Sequence, residues 1–319
     1  MTKQSSALLG ALAVIMLIPG FATGQTGSAE VPRTSWGDPD LQGVWNNNTV
    51  VPLERPENLA GKDTLTDEEV AERFQRTSDA LFAPREGSTG FYNEFWFEYG
   101  QDTNRTSLVI EPTDGKLPSL TPAAQARQQA LRAERRVFYQ APSTYLDLNS
   151  YDRCITRSLP GAMMPGFYNH NYHILQTQDH VVLVVEMIHD ARIIPLDGRP
   201  HASTGIKQWL GDSRGHWEGD TLVVETTNFT STVSERGATV FGTGEHLRLV
   251  ERFTRVGTDT IDYRYTVNDP TMYQGSWTAS IPMSKIDGTL FEYACHEGNY
   301  ALPNMLSGAR AAEAGAQQQ

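Results

Sequence analysis

This chain of 319 residues carries 26 Lys and Arg against 38 Asp and Glu, a formal net charge of −12. That balance opposes nonspecific attraction to nucleic acid or to anionic membranes, and it leaves small molecules, sugars or proteins as partners. The length allows one large core or two modest ones.

Residues 1–24 read as an export signal. Lys3 precedes the apolar run Ala7–Ala22, which Pro19 interrupts, and Ala22-Thr23-Gly24 offers small residues for cleavage. The run is shorter than the roughly 20 apolar residues that span a bilayer, and no Cys follows it for lipid attachment. An uncleaved anchor is the alternative. The expectation is a periplasmic or secreted protein with no stable membrane insertion after signal cleavage, its oligomeric state open.

Residues 25–145 read as an N-terminal arm with first strands and two helices packed on the main domain. LQGVW (41–45) is its first strand. Thr66 with Glu69 three residues on makes a capping box, which predicts a helix over 66–75. The aromatic, Gly-rich stretch 79–103 has no period and reads as loop. TSLVIE (106–111) reads as a strand ended by Pro112. Thr121–Phe138, with Pro122 in its first turn, reads as a second helix.

Residues 146–303 form the main antiparallel β domain. YHILQT, VVLVVEMI, ARIIPL, TLVVETT, HLRLVERFT, TIDYRYTV, GSWTASI and LFEYAC are short β runs between turn residues. Leu247, Leu249 and Phe253 alternate with His246, Arg248 and Arg252, and Ile261, Tyr263, Tyr265 and Val267 repeat the pattern, as half-buried strands do. Residues 304–319 read as a frayed C-terminal tail, a weak helix after Pro303 running into AAEAGAQQQ. The fold class expected is mainly β, an antiparallel barrel or sandwich with a few peripheral helices.

The blocks DPDLQGVW (38–45), RCITRSLPGAMMPG (153–166), EMIHDARIIPLDGRPH (186–201), GDSRGHWEGDTLVVETTNF (211–229), LVERFTR (249–255) and YACHEGNY (293–300) span nearly all of the mature chain. On them the chain resembles a group of exported, mostly uncharacterised bacterial proteins, which implies export but no particular activity. His170 and His173 stand where similar sequences commonly have Asn and Gln, and His216 where Arg is common. Gly43-Val44-Trp45 ahead of many strands is similar to the Gly-x-Trp opening of lipocalin-like barrels, which implies a barrel with a pocket.

Cys154 and Cys295 are the two cysteines. In an oxidising compartment they pair most simply as one disulfide. The alternative, Cys154 as nucleophile, leaves Cys295 unexplained.

VVLVVEMI (181–188) is apolar on both faces and reads as a central strand, and alternation groups Glu186 within it with Val182, Val184 and Ile188. A desolvated carboxylate there suits proton transfer near neutral pH; the alternative is a buried ion pair with Arg192 or another arginine. His189, Asp190 and Arg192 follow at the strand end, where His189 beside a carboxylate is either a general base or a turn histidine. Arg153, tied through Cys154 to the region of His296, can clamp an anionic oxygen or make a salt bridge. Met163, Met164, Phe167 and Tyr168 offer an apolar wall. His170 and His173 point to opposite faces of a strand, so no metal site is assigned. GDSRGHWEGD is a hairpin, or it places Asp212, Arg214 and His216 at the rim of a pocket. No Gly-rich phosphate cradle, Gly-x-Ser-x-Gly elbow or Cys-x-x-Cys pair is present, so no organic cofactor is expected.

Together these features lead to two expectations. The first is an exported, cofactor-independent enzyme (lyase, isomerase or hydrolase) whose Glu186, His189, Asp190 and Arg192 act on a small hydrophobic or aromatic substrate in a β-barrel pocket. Arg153, Tyr168, His170, His173, Arg214 and His296 would bind that substrate. The second is a lipocalin-like binding protein without catalysis.

Overall fold

The period-two runs of the second half pair with their sequence neighbours as antiparallel hairpins. The computed structural model describes residues 31–83, 95, 97–98, 100, 102–138, 142–231 and 244–317, without the side chains of 131–138. The strands are β1 (Gly43–Asn46), β2 (Val109–Glu111), β3 (Asn171–Gln176), β4 (His180–Val185), β5 (Ala191–Pro195), β6 (Asp212–Glu218), β7 (Thr221–Thr227), β8 (Arg248–Gly257), β9 (Thr260–Asn268) and β10 (Trp277–Ile286). Nine of them form one path, β5-β4-β3-β1-β10-β9-β8-β7-β6, and β2 pairs β10 beside it. The arm therefore supplies a central strand: Trp45 stands between Lys285 and Tyr172 in register.

One face of the sheet curls around the core. Trp45, Tyr172, Phe253, Tyr263, Tyr265 and Trp277 are buried on it, with Tyr263 and Tyr265 stacked at 5.7 Å and Tyr265 edge-on to Trp277 at 5.6 Å. Each such ring contributes roughly 1.5–3 kcal/mol through burial. The two end strands approach one another, and a side chain on Gly215 of β6 would collide with Ile194 and Leu196. No ladder joins them. With every neighbour on the nine-strand path antiparallel, its two ends run parallel, so antiparallel closure is geometrically excluded. The fold is mainly β, a ten-stranded antiparallel sheet that hydrogen bonds do not close into a barrel.

Three helices accompany it among the described residues: α1 (Asp67–Phe82), α2 (Pro122–Phe138) and α3 (Ala301–Ala316). Thr66 and Glu69 cap α1 reciprocally as expected, and the helix runs two turns beyond Gln75. Arg73 anchors it, donating to the Arg105 carbonyl at 2.6 Å and to Asp102 at 2.7 Å. Val31–Gln319 holds together as one compact unit. The expected signal and most of the loop between α1 and residue 102 lie outside the described residues. No helix among the described residues is long and apolar enough to cross a membrane.

Three details differ from the sequence expectation. The strand VVLVVEMI stops at Val185, and its buried face is Val181, Leu183 and Val185, not the set that would include Glu186. LFEYAC (290–295) is no strand, because its backbone groups meet side chains instead: the Phe291 N–H donates to Glu186, and the Tyr293 carbonyl accepts from His189. The weak helix expected after Pro303 is present and does not fray at AAEAGA, but runs from Ala301 to Ala316. Arg310 ties it down, donating to the Pro142 and Ser143 carbonyls at 3.0 and 3.1 Å.

Candidate functional site

Where β1 ends, β3 begins and β4 ends, amides and carboxylates are crowded together. Asn46 and Asn171 are cross-strand partners there, and Asn46 Nδ2 donates to Asn171 Oδ1 at 2.8 Å. Asn171 Nδ2 donates to Glu186 Oε2 at 2.6 Å and lies 3.4 and 3.3 Å from the two carboxylate oxygens of Glu98. Asn169 serves both acids as well. Its backbone N–H donates to Glu98 and its side chain to Glu186, each at 3.0 Å. Asn48 Nδ2 reaches the Glu98 carbonyl at 3.1 Å and its carboxylate at 3.3 Å. Two carboxylates thus share one frame of neutral donors, and among the described residues no Lys or Arg pairs with either. Burial, and then repulsion from Glu186, raise the Glu98 pKa above the ordinary glutamate value, against the pull of these donors.

A strained turn delivers Glu186 to this frame. The chain leaves β4 in a helical conformation at Glu186, then takes left-handed conformations at Ile188 (φ 64°) and His189 (φ 48°). Left-handed geometry at a β-branched residue is rare, and such strain costs on the order of 1–3 kcal/mol per residue. Asn169 (φ 54°), facing this turn, is left-handed too, which asparagine tolerates better. The reversal leaves Glu186 2 % exposed while His189 is turned to the surface. His189 Nδ1 donates to the Tyr293 carbonyl at 2.9 Å, so in the neutral ring Nε2 is the acceptor. Asp190 accepts from Thr156 Oγ1 at 2.8 Å. Burial pushes its carboxyl up to about 6, with Thr156, His189 and Arg192 opposing.

A cleft of about 650 Å³ opens beside this frame, with Glu98, Tyr168, Asn169, Phe291, Tyr293 and Cys295 among its lining. The Cys154–Cys295 disulfide pins the C-terminal wall, and Glu186 holds the same wall through the Phe291 N–H at 3.3 Å. Glu186 therefore stands behind the cleft, touching both Glu98's donors and the segment that closes it.

Of the other residues the sequence singled out, Tyr168 lines the cleft and the rest do not. Glu186 makes no ion pair with Arg192. Instead Arg192 crosses the sheet interior to a two-pronged pair with Glu251, donating to Oε1 at 3.0 Å, and reaches Ser213 and Thr226. Arg153 lies over the Tyr145 ring at 5.4 Å. His170 is buried, 3.2 Å from Arg157 Nη1, while His173 lies on the opposite, half-exposed face of β3. Arg214 bonds Asp212 at 2.7 Å and the Pro200 carbonyl at 3.0 Å, in a cluster where His201 also meets Asp212 at 3.0 Å. His296 is exposed, and His216 pairs with Glu218 at 3.1 Å. Met163 is buried in the core, and Met164 accepts from the Tyr265 hydroxyl.

Glu98 is the residue sequence reasoning missed, because it sits in the aperiodic stretch FYNEFWFEYG. The asparagine runs NNN (46–48) and NHN (169–171) were the available signal, since amides at strand ends need polar partners. Among the described residues no three His, Cys, Asp or Glu side chains converge as a metal-binding group. Compared with known proteins, the chain matches no family model and no curated protein is significantly similar to it.

Proposed function

We propose that this protein is an exported, cofactor-independent enzyme performing acid–base chemistry on a small hydrophobic or aromatic substrate in the cleft beside Glu98. One observation carries this reading: a carboxyl with a raised pKa lines a cleft of ligand size, in a frame of neutral amides. Such a group is tuned toward the pH at which it can both take and return a proton. Glu98 is the proton-transfer group, and Glu186 is a positioning residue that fixes its donors and the cleft wall. An isomerase that moves a proton from one carbon to another needs only the Glu98 carboxyl to take it and give it back. A lyase would take the proton with Glu98 as the bond to the leaving group breaks, and return it to that leaving group. A hydrolase would use it to activate water.

Export is supported by the disulfide between the chain's two cysteines, by the apolar leader and by the resemblance to exported bacterial proteins. A lipocalin-like reading of the sheet, as a barrel with one open seam, is supported by the approach of β5 to β6 and by the buried Trp45 of the Gly-x-Trp opening.

Incubation of wild type and Glu98→Gln with an extract of small aromatics and terpenoids, followed by mass spectrometry, tests the proposal. Wild type should deplete a compound, and the variant should do so about 100-fold or more slowly. Equal depletion by both would overturn the role of Glu98. Retention of a compound by both without turnover would support the second reading, a lipocalin-like small-molecule binder, which the aromatic lining favours.

A further inference from the structure

The cleft has an electrostatic character that restricts what it can hold. Glu98 and Glu292 line it, Glu186 stands behind Glu98, and among the described lining residues there is no Lys, Arg or His. The donors that meet the two inner carboxylates are neutral amides, and among the described residues no Lys or Arg side chain pairs with either. Four of the other eight lining residues are aromatic: Phe95, Tyr168, Phe291 and Tyr293. Phe95 and Phe291 are 85 % and 79 % exposed, an unusual state for phenylalanine. Aromatic rings carry a negative quadrupole that attracts cations, most strongly when the cation also sheds water. Rings and carboxylates around one cavity favour the same ligand. An anionic ligand would meet only repulsion, and a neutral one would gain from the rings but nothing from the charge.

We infer that the cleft takes an organic cation, an amine or quaternary ammonium carrying an apolar or aromatic substituent. This names the substrate class of the proposed site and rests on the cleft being that site. The cation sits among the rings with its charge toward Glu98 and Glu292, while its apolar part covers Phe95 and Phe291. Bound there, it favours the ionised form of Glu98, so ligand binding itself prepares the carboxylate to act as a base.

Titration calorimetry on the disulfide-bonded protein decides the matter with three probes of similar size: benzyltrimethylammonium, benzyl alcohol and phenylacetate. The cation should bind at least about tenfold more tightly than the alcohol, and phenylacetate least of all, a preference near the 1.4 kcal/mol that a tenfold ratio represents. Glu292→Gln, at an exposed position, should reduce the preference for the cation several-fold while leaving benzyl alcohol binding unchanged. Tyr168→Leu should weaken the cation more than the alcohol. Equal binding of the three probes, a preference for phenylacetate, or no binding of the cation would overturn the inference. Turnover in the extract experiment is read separately. Cation binding without turnover defeats the catalytic proposal alone, and turnover of a neutral or anionic compound defeats this inference alone.

Discussion

Glu98 and Glu186 are bound by the same side-chain amide. Asn171 Nδ2 donates to Glu186 at 2.6 Å and lies 3.3 Å from the nearer Glu98 oxygen. The two acids are therefore coupled, and the charge on Glu186 is one cause of the raised Glu98 pKa, second to burial among the raising effects. Glu186→Gln should move the Glu98 titration to lower pH, because repulsion is removed while burial remains. The same change sets an amide N–H₂ against a donor from Asn169 or Asn171, costing about 1–3 kcal/mol of stability. Carboxyl-labelled glutamate followed by NMR through the titration gives the direct reading. An unmoved Glu98 midpoint would mean that burial alone sets it.

Asp190 offers a test of sign. Its folded pKa of about 6 lies above the ordinary aspartate value of 3.8, chiefly through burial. The folded protein therefore binds the proton more tightly than the unfolded chain. The associated stability is complete below about pH 4 and is lost as pH rises through 6, by an amount on the order of 3 kcal/mol. This runs opposite to ordinary acid unfolding. Asp190→Asn keeps an acceptor for Thr156 and removes the titration. Urea unfolding of both proteins from pH 4 to 8 should show the variant gaining on wild type as pH rises. A stability difference that stays constant over that range would contradict the assignment.

The strands were legible because each buries one face: Leu249 and Phe253, or Ile261 through Val267, reveal the inner surface by alternation alone. The same alternation puts residue 251 on the inner face, and Glu251 is indeed wholly buried. Polar residues inside a strand carry no partner in their own sequence, so the Arg192–Glu251 pair, 59 residues apart, could not be read from either strand. Glu186 stood out as a carboxylate after an apolar run, but the turn at Ile188 and His189 could not be foreseen. No local pattern forecasts left-handed isoleucine, which tertiary contacts must impose. Glu98 meets Asn48, Asn169 and Asn171 only through folding, across 50 or more residues.

Arg192 and Glu251 form a pair buried on both sides, and the Tyr263 hydroxyl donates to Glu251 at 3.0 Å. Each charge is tolerable inside the sheet because the other is present. Arg192→Met should destabilise the protein by roughly 3–5 kcal/mol, since it strands the Glu251 carboxylate. Arg192→Met with Glu251→Gln should recover a large part of that loss, although neither residue of the pair remains. Guanidinium unfolding of the two single variants and the double variant measures the coupling. Additive losses would show that the two side chains act independently.

The Cys154–Cys295 disulfide closes a loop of 141 residues, which the chain-entropy model values at about 5 kcal/mol. Its position gives it a local role beyond that global one. Cys295 is part of the cleft wall, and the segment around it has no strand partner, being held by the disulfide, by Glu186 and by His189. Cys154→Ser with Cys295→Ser should lower the urea midpoint. In the absence of urea, where circular dichroism still reports the native sheet, it should also weaken benzyltrimethylammonium binding by more than about tenfold, since an untied wall must be ordered on binding. Reduction of wild type should reproduce both effects, and reoxidation should reverse them. Undiminished binding by a folded, reduced protein would show that Glu186 and His189 suffice to hold the wall.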